Sequence, residues 1–126
     1  MKKFLLLLAC LMCATTLMSA EKVLIDGLYY NLSGDYGGAT VEKPDSGLYV
    51  GDIDIPSEVT YNGVTRPVKA VGVSAFANDS LLTSVTFHDN MKVINYYAFN
   101  NCTQLKSIDL PNTVTSVSDG AFNQCI

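Results

Sequence analysis

Residues 105–125 read LKSIDLPNTVTSVSDGAFNQC, and residues 82–102, placed 23 positions earlier, read LTSVTFHDNMKVINYYAFNNC. Superposed, they match Leu82 with Leu105, Val85 with Ile108, Phe87 with Leu110, Ile94 with Val117, Ala98-Phe99 with Ala121-Phe122 and Cys102 with Cys125. Val71 and Ala75-Phe76 carry two of these columns one period further upstream. So many columns in one register mark a repeat, and a period of roughly 20–50 residues marks a stacked architecture.

Within a unit, Ser107-Ile108-Asp109-Leu110 alternates polar and apolar residues, the pattern of a half-buried strand. Pro111-Asn112 closes that strand, and Val114 and Val117 begin a second one. Ala121-Phe122 then forms a corner, in which alanine is small enough for a tight bend and phenylalanine fills the middle of the coil. One coil cannot bury its own apolar edges, so its stability has to come from stacking on its neighbours. An earlier unit begins at Ile53-Asp54-Ile55, and its path from Ile53 to Ala75 is nine residues longer than that from Ile108 to Ala121. The excess falls at residues 60–69, where Val59-Thr60-Tyr61 and Val64-Thr65 flank Asn62-Gly63, a strong hairpin signal. A small β-hairpin protruding from the first coil is expected, together with tolerance to deletion of residues 61–69.

The pattern Leu-x-x-Ile-x-Leu-Pro-x-x-Val-x-x-Val-x-x-x-Ala-Phe-x-x-Cys over residues 105–125 resembles the BspA-type leucine-rich repeat of bacterial surface proteins, and the likeness extends over roughly residues 52–126. It implies adhesion to host matrix proteins or to other cells. Two positions depart from the family: Asp79 stands where it has cysteine, and Met91-Lys92 replaces a small polar turn. Both are expected of a degenerate member. Residues 25–32, IDGLYYNL, resemble the β-rich lead-in found before such arrays. There, Val23 to Tyr30 reads as two strands around Asp26-Gly27, and Ala39-Thr40-Val41-Glu42 as a third. The expected fold is thus mainly β: a signal peptide at 1–20, an N-terminal β-rich cap at 21–51, and a short leucine-rich-repeat solenoid of about three coils at 52–126, the last incomplete.

The signal assignment rests on Lys2-Lys3, an apolar run over residues 4–17 and the small exit Ser19-Ala20. That run is shorter than the roughly 20 residues that span a bilayer, so no membrane insertion is expected after cleavage, which we place after Ala20. Leu7-Leu8-Ala9-Cys10 resembles a lipobox and offers lipid anchoring at Cys10 instead, although with a shorter apolar core. Either route exports the chain, secreted or held at the cell surface. The whole chain has 8 basic and 12 acidic residues, net −4. Loss of Lys2 and Lys3 makes it more acidic still. With no basic cluster, this balance argues against nucleic acid or anionic membrane as partner.

Candidate chemistry is sparse. Cys102 and Cys125 share a column of adjacent coils, and export invites a disulfide. Coils about 4.8 Å apart hold such side chains further apart than the roughly 3.8 Å between the Cβ atoms of a disulfide. Two buried thiols are therefore favoured, with the disulfide as the alternative. His88, the one histidine, is expected at an exposed strand end with no nucleophile tied to it. Asp52-x-Asp54 places two carboxylates on one strand face, without the third ligand a calcium loop supplies. No catalytic residue, metal or cofactor is assigned. The candidate binding surface is the outward stripe Ser84, Thr86, His88, Ser107 and Asp109, continued by Asp52 and Asp54; a merely solvated sheet accounts for it equally well. Tyr96-Tyr97, Tyr61 and Arg66 are interface candidates by residue type. Three Asn-x-Ser/Thr triplets, at Asn31, Asn78 and Asn101, are weak glycosylation motifs.

These readings favour an exported, non-catalytic repeat protein that binds a protein or glycan. The rivals are a capped N-terminal fragment of a longer array with a structural role only, and, last, a hydrolase using Asp52 and Asp54. Ile126 aligns with Thr103, inside a coil. The strand at residues 107–110 is accordingly expected to be an open sheet edge, available for edge-to-edge self-association.

Overall fold

The computed structural model describes residues 22–125. The expected signal peptide, the lipidation alternative at Cys10 and the position of Ile126 fall outside that range. Nine strands and no helix occur among the described residues. They are β1 (Lys22–Ile25), β2 (Leu28–Asn31), β3 (Ala39–Glu42), β4 (Gly51–Asp54), β5 (Glu58–Tyr61), β6 (Val64–Val71), β7 (Leu82–Thr86), β8 (Val93–Ile94) and β9 (Ser116–Val117). One sheet runs in the order β9-β8-β6-β3-β2-β1 with β5 added to β6, and a second holds β4 and β7 alone. The strands stack as a solenoid, the architecture that the sequence period leads one to expect.

The columns read from the sequence are rungs in space. Val71 pairs with Ile94 and Ile94 with Val117 along the parallel ladder β6-β8-β9. On the other side Ile53 pairs with Val85. At the corners the amide of Phe76 donates to Ala98 O at 2.7 Å, and that of Phe99 to Ala121 O at 2.7 Å. The Phe76 and Phe99 rings stack at 4.9 Å and 6°, and Phe99 and Phe122 at 5.3 Å and 1°. Tyr49 continues the column below Phe76 at 4.8 Å, tilted by 42°. Ala75, Ala98, Phe76 and Phe99 are fully buried, because any larger corner residue would hold successive coils apart.

Both predicted hairpins turn as their sequences dictate. Asp26-Gly27 (φ +49° and +89°) joins β1 to β2, and Asn62-Gly63 (φ +50° and +79°) joins β5 to β6. Positive φ at both central residues is what the right-handed twist of the flanking strands demands. The second hairpin is less separate than its sequence implies. β6 is one continuous strand, pairing through its first half with β5 and through its second with β3 and β8. Val59 and Val68 are core residues, and Lys69 O accepts the amide of Lys92. Removing residues 61–69 would take part of the coil with the hairpin.

Residues 107–110 depart from expectation. They form no strand, and no backbone hydrogen bond among the described residues ties them to β7. Parallel pairing is weaker per residue than antiparallel, and among the described residues this segment has a neighbour on one side only. The two sequence departures also read differently in space. Met91 is buried, its side chain filling the core rather than degrading a turn. Asp79 is buried at the first corner, where its Oδ2 has no hydrogen-bond partner among the described residues.

Candidate functional site

The β4–β7 pair presents the predicted stripe. Its register sets Asp52 beside Ser84 and Asp54 beside Thr86, and strand alternation then turns all four outward while Ile53 and Val85 face the core. Asp52 Oδ1 accepts hydrogen bonds from Ser84 and Thr83, each at 2.8 Å. First the Ser84 hydroxyl, then that of Thr83, holds its carboxyl below the usual aspartate range. Asp54 Oδ1 lies 2.6 Å from His88 Nε2, both side chains exposed. The two aspartates are thereby engaged with separate partners instead of converging on one point. Among the described residues no group of three His, Cys, Asp or Glu side chains could hold a metal ion. Among the described residues His88 bonds Asp54 and no hydroxyl.

Four of the five stripe residues come together. Ser84 and Thr86 form one wall, and Ser107 and Asp109 the other, of an open cleft of about 410 Å³ floored by Val85, Phe87 and Ile108. It opens because residues 107–110 leave β7 unbonded. His88 stands outside it, at the end of β7, with Asp54. The arrangement offers hydroxyls, one carboxylate, strand backbone and a narrow apolar floor, which suits surface recognition and supplies no activated nucleophile.

The aromatic candidates occupy a different side. Tyr96 and Tyr97 are about half exposed. The Tyr97 ring lies over Gly120 so closely that a Cβ there would stand 2.4 Å from Cε1. Tyr61 is at the exposed hairpin tip, and Arg66 is half-buried in β6.

Sequence reading missed two asparagine columns and the bonding of the thiols. Asn78, Asn101 and Gln124 each take a left-handed corner conformation, φ +66°, +61° and +61°, where asparagine is tolerated best after glycine. Asn101 Nδ2 donates to Asn78 Oδ1 at 3.0 Å, and Asn123 Nδ2 to Asn100 Oδ1 at 3.1 Å. The signal was present as Asn at the same 23-residue spacing. Cys102 and Cys125 are free thiols, each donating to the carbonyl one coil back, Phe76 O and Phe99 O, at 3.0 Å. Burial first, then the neighbouring Cys125, pushes the Cys102 thiol up to about 12, so it stays protonated and inert.

Compared with known proteins, residues 69–126 match the family described as BspA type leucine rich repeat region. A leucine-rich cell surface protein from Faecalibacterium prausnitzii has a similar structure: TM-score 0.71, 30% identity, 83% of this chain and 28% of that one covered. A leucine-rich repeat protein of Bacteroides ovatus gives TM-score 0.65 at 25% identity, with 82% and 33% covered. The leucine-rich repeat protein of T. pallidum gives 0.64 at 25%, with 82% and 46% covered. The chain thus spans less than half the length of each. The search of curated proteins found no match.

Proposed function

We propose, from the premise that residues 69–126 belong to the BspA-type leucine-rich repeat family, that the chain is exported and binds a protein or glycan at the cell surface. Leucine-rich repeat proteins are generally non-enzymatic, and a solenoid works by presenting a continuous outer surface. The observation that carries the reading is the open cleft between Ser84-Thr86 and Ser107-Asp109. Its walls are polar and its floor is apolar, the composition of a recognition surface with a dry centre. The acidic balance favours neutral or basic ligands over anionic ones.

The test is solid-phase binding of the purified chain to immobilised collagen, to immobilised mucin glycans and to whole bacterial cells. A Thr86→Arg/Ser107→Arg variant serves as the control, since it fills the cleft without touching the core. Saturable binding that this variant abolishes supports the reading. Binding equal in both proteins, or absent from all three surfaces, would refute it. Export is tested by expressing the full gene product in a bacterial host. A secreted chain beginning at Glu21 supports cleavage after Ala20; a diacylated chain beginning at Cys10 would move the anchor to the membrane.

A further inference from the structure

The cleft between β7 and residues 107–110 presents main chain as well as side chains. Val85 and Phe87 are core residues, and the Phe87 ring packs edge-on against Phe99 at 6.2 Å. With their side chains turned inward, both line the cleft through their main chain. Thr86 O accepts the amide of Ile55, so the main-chain groups of Thr86 face β4. Successive residues of a strand aim their N–H and C=O groups to opposite sides, which directs those of Val85 and Phe87 toward residues 107–110. No backbone hydrogen bond crosses that gap among the described residues.

An open ladder selects its ligand by geometry. Main-chain N–H and C=O groups are obligatory hydrogen-bonding groups, and a strand sets them out at a rise of ~3.3 Å per residue. An extended main chain repeats them at the same interval, whereas the hydroxyls of a glycan follow its rings. Ladder bonding of this kind draws affinity from the main chain and specificity from alternate side chains. The walls of the cleft state that specificity. Ser84, Thr86 and Ser107 are neutral, and Asp109 is a carboxylate with no ion pair among the described residues. A basic residue on the incoming strand complements Asp109, and an apolar one covers the half-buried Ile108 on the floor.

We propose that an extended segment of a partner protein, with basic and apolar residues in alternation, adds as a strand along residues 84–87 of β7. The inference rests on the reading of this cleft as the recognition surface, and it names the ligand as polypeptide rather than glycan. The main-chain groups of Val85 and Phe87 supply the ladder, and Asp109 pairs with a lysine or arginine of the segment. Residues 107–110, which no ladder bond holds to β7, give way to admit the strand.

The experiment is a nuclear magnetic resonance titration of the isotope-labelled chain with acetyl-Lys-Val-Lys-Val-Lys-amide and with the same peptide N-methylated at every residue. N-methylation keeps the charges and side chains and removes the main-chain donors. In the free chain the Val85 and Phe87 amides should exchange with deuterium faster than the Thr86 amide. The parent peptide should give saturable shifts centred on Val85 and Phe87 and slow their exchange. The N-methylated peptide should bind at least roughly tenfold more weakly, the effect of one or two hydrogen bonds, and Thr86→Arg/Ser107→Arg should weaken the parent peptide as much. Equal affinity of the two peptides, shifts spread over the acidic surface, or a Val85 amide already as protected as that of Thr86 in the free chain would each overturn the proposal. So would concentration-dependent dimers that the double variant abolishes, since they assign the edge to a second copy. Failure of the peptide, with immobilised ligands still bound in a manner that the double variant abolishes, removes this inference and leaves the cleft reading. Failure of both removes the cleft reading as well.

Discussion

On the corner side of the coils Phe76, Phe99 and Phe122 stack ring on ring, and every corner is tied to the next by backbone bonds. On the opposite side β4 and β7 pair, and residues 107–110 then run past β7 without one. The repeat is equally regular on both sides in sequence. What differs is how many independent constraints fix each rung. A corner is held by a buried ring, a small residue with no room to grow, an asparagine amide and a thiol, all at the same 23-residue spacing. The strand side is held by alternating apolar residues and whatever ladder forms over them. Close packing tolerates little displacement, whereas a solvated strand has water as an alternative partner for its backbone.

The contrast can be broken most forcefully at Phe99. Phe99→Ala should cost about 3–5 kcal/mol, because it removes the middle ring of the stack; Ile108→Ala, on the unladdered side and half-buried, should cost only about 1 kcal/mol. Urea melts of the two variants check this, and equal losses would mean that the two sides are equally fixed.

Asp79 gives the next largest effect. It is 1% exposed with Oδ2 unpartnered, and desolvation raises its carboxyl to about 6 from 3.8, against opposing contributions from Lys43 and the Tyr49 amide. A carboxyl whose folded pKa lies above its unfolded value stabilises the fold in its protonated state. The contribution is fully present below pH 3.8 and is lost as pH rises to about 6, a change of about 2–3 kcal/mol at most. Asp79→Asn keeps the size of the side chain and removes the titrating carboxyl. Melts across pH 4–7 should therefore show a flatter profile for the variant than for the parent.

Smaller again is Asn101→Ala, at about 1–2 kcal/mol, since alanine resists φ near +60° and the amide ladder is lost. Asn101→Gly restores the conformation but not the ladder, so the difference between the two melts isolates the backbone contribution. His88→Ala should cost less than about 0.5 kcal/mol, as exposed pairs contribute little. A larger loss would place the strand face among the structural elements.

Where sequence and structure agree, the interaction is local or strictly periodic. Asp26-Gly27 and Asn62-Gly63 turn the chain within two residues, and the Ala-Phe corners recur at a fixed interval, so both can be read from one line of text. The outward placement of Ser84 and Thr86 was legible for the same reason, since it follows from strand alternation. His88 was placed correctly at a strand end, but its partner Asp54 lies 34 positions away across a register that the insertion hides. Residues 107–110 misled because alternation reports which face is apolar and says nothing about whether a ladder closes. The environment of Asp79 was illegible for a different reason. It depends on the lead-in, through Lys43 and Tyr49, meeting the first corner, a contact between segments that share no repeat.

The shared strand β6 also bears on the order in which the chain assembles. Parallel ladders between distant segments form slowly, because loop closure must precede any gain in contact. The Asn62-Gly63 hairpin, by contrast, closes on the ~1–10 μs scale of a local turn. Once closed, it holds β6 extended and offers the stretch from Val68 to Val71 as a ready edge on which β3 can add from one side and β8 from the other. On this hypothesis the insertion is a nucleus for the array, and Val68→Ala slows refolding while Phe122→Ala chiefly speeds unfolding. Stopped-flow kinetics giving the opposite assignment would place the first-formed contacts in the corners instead.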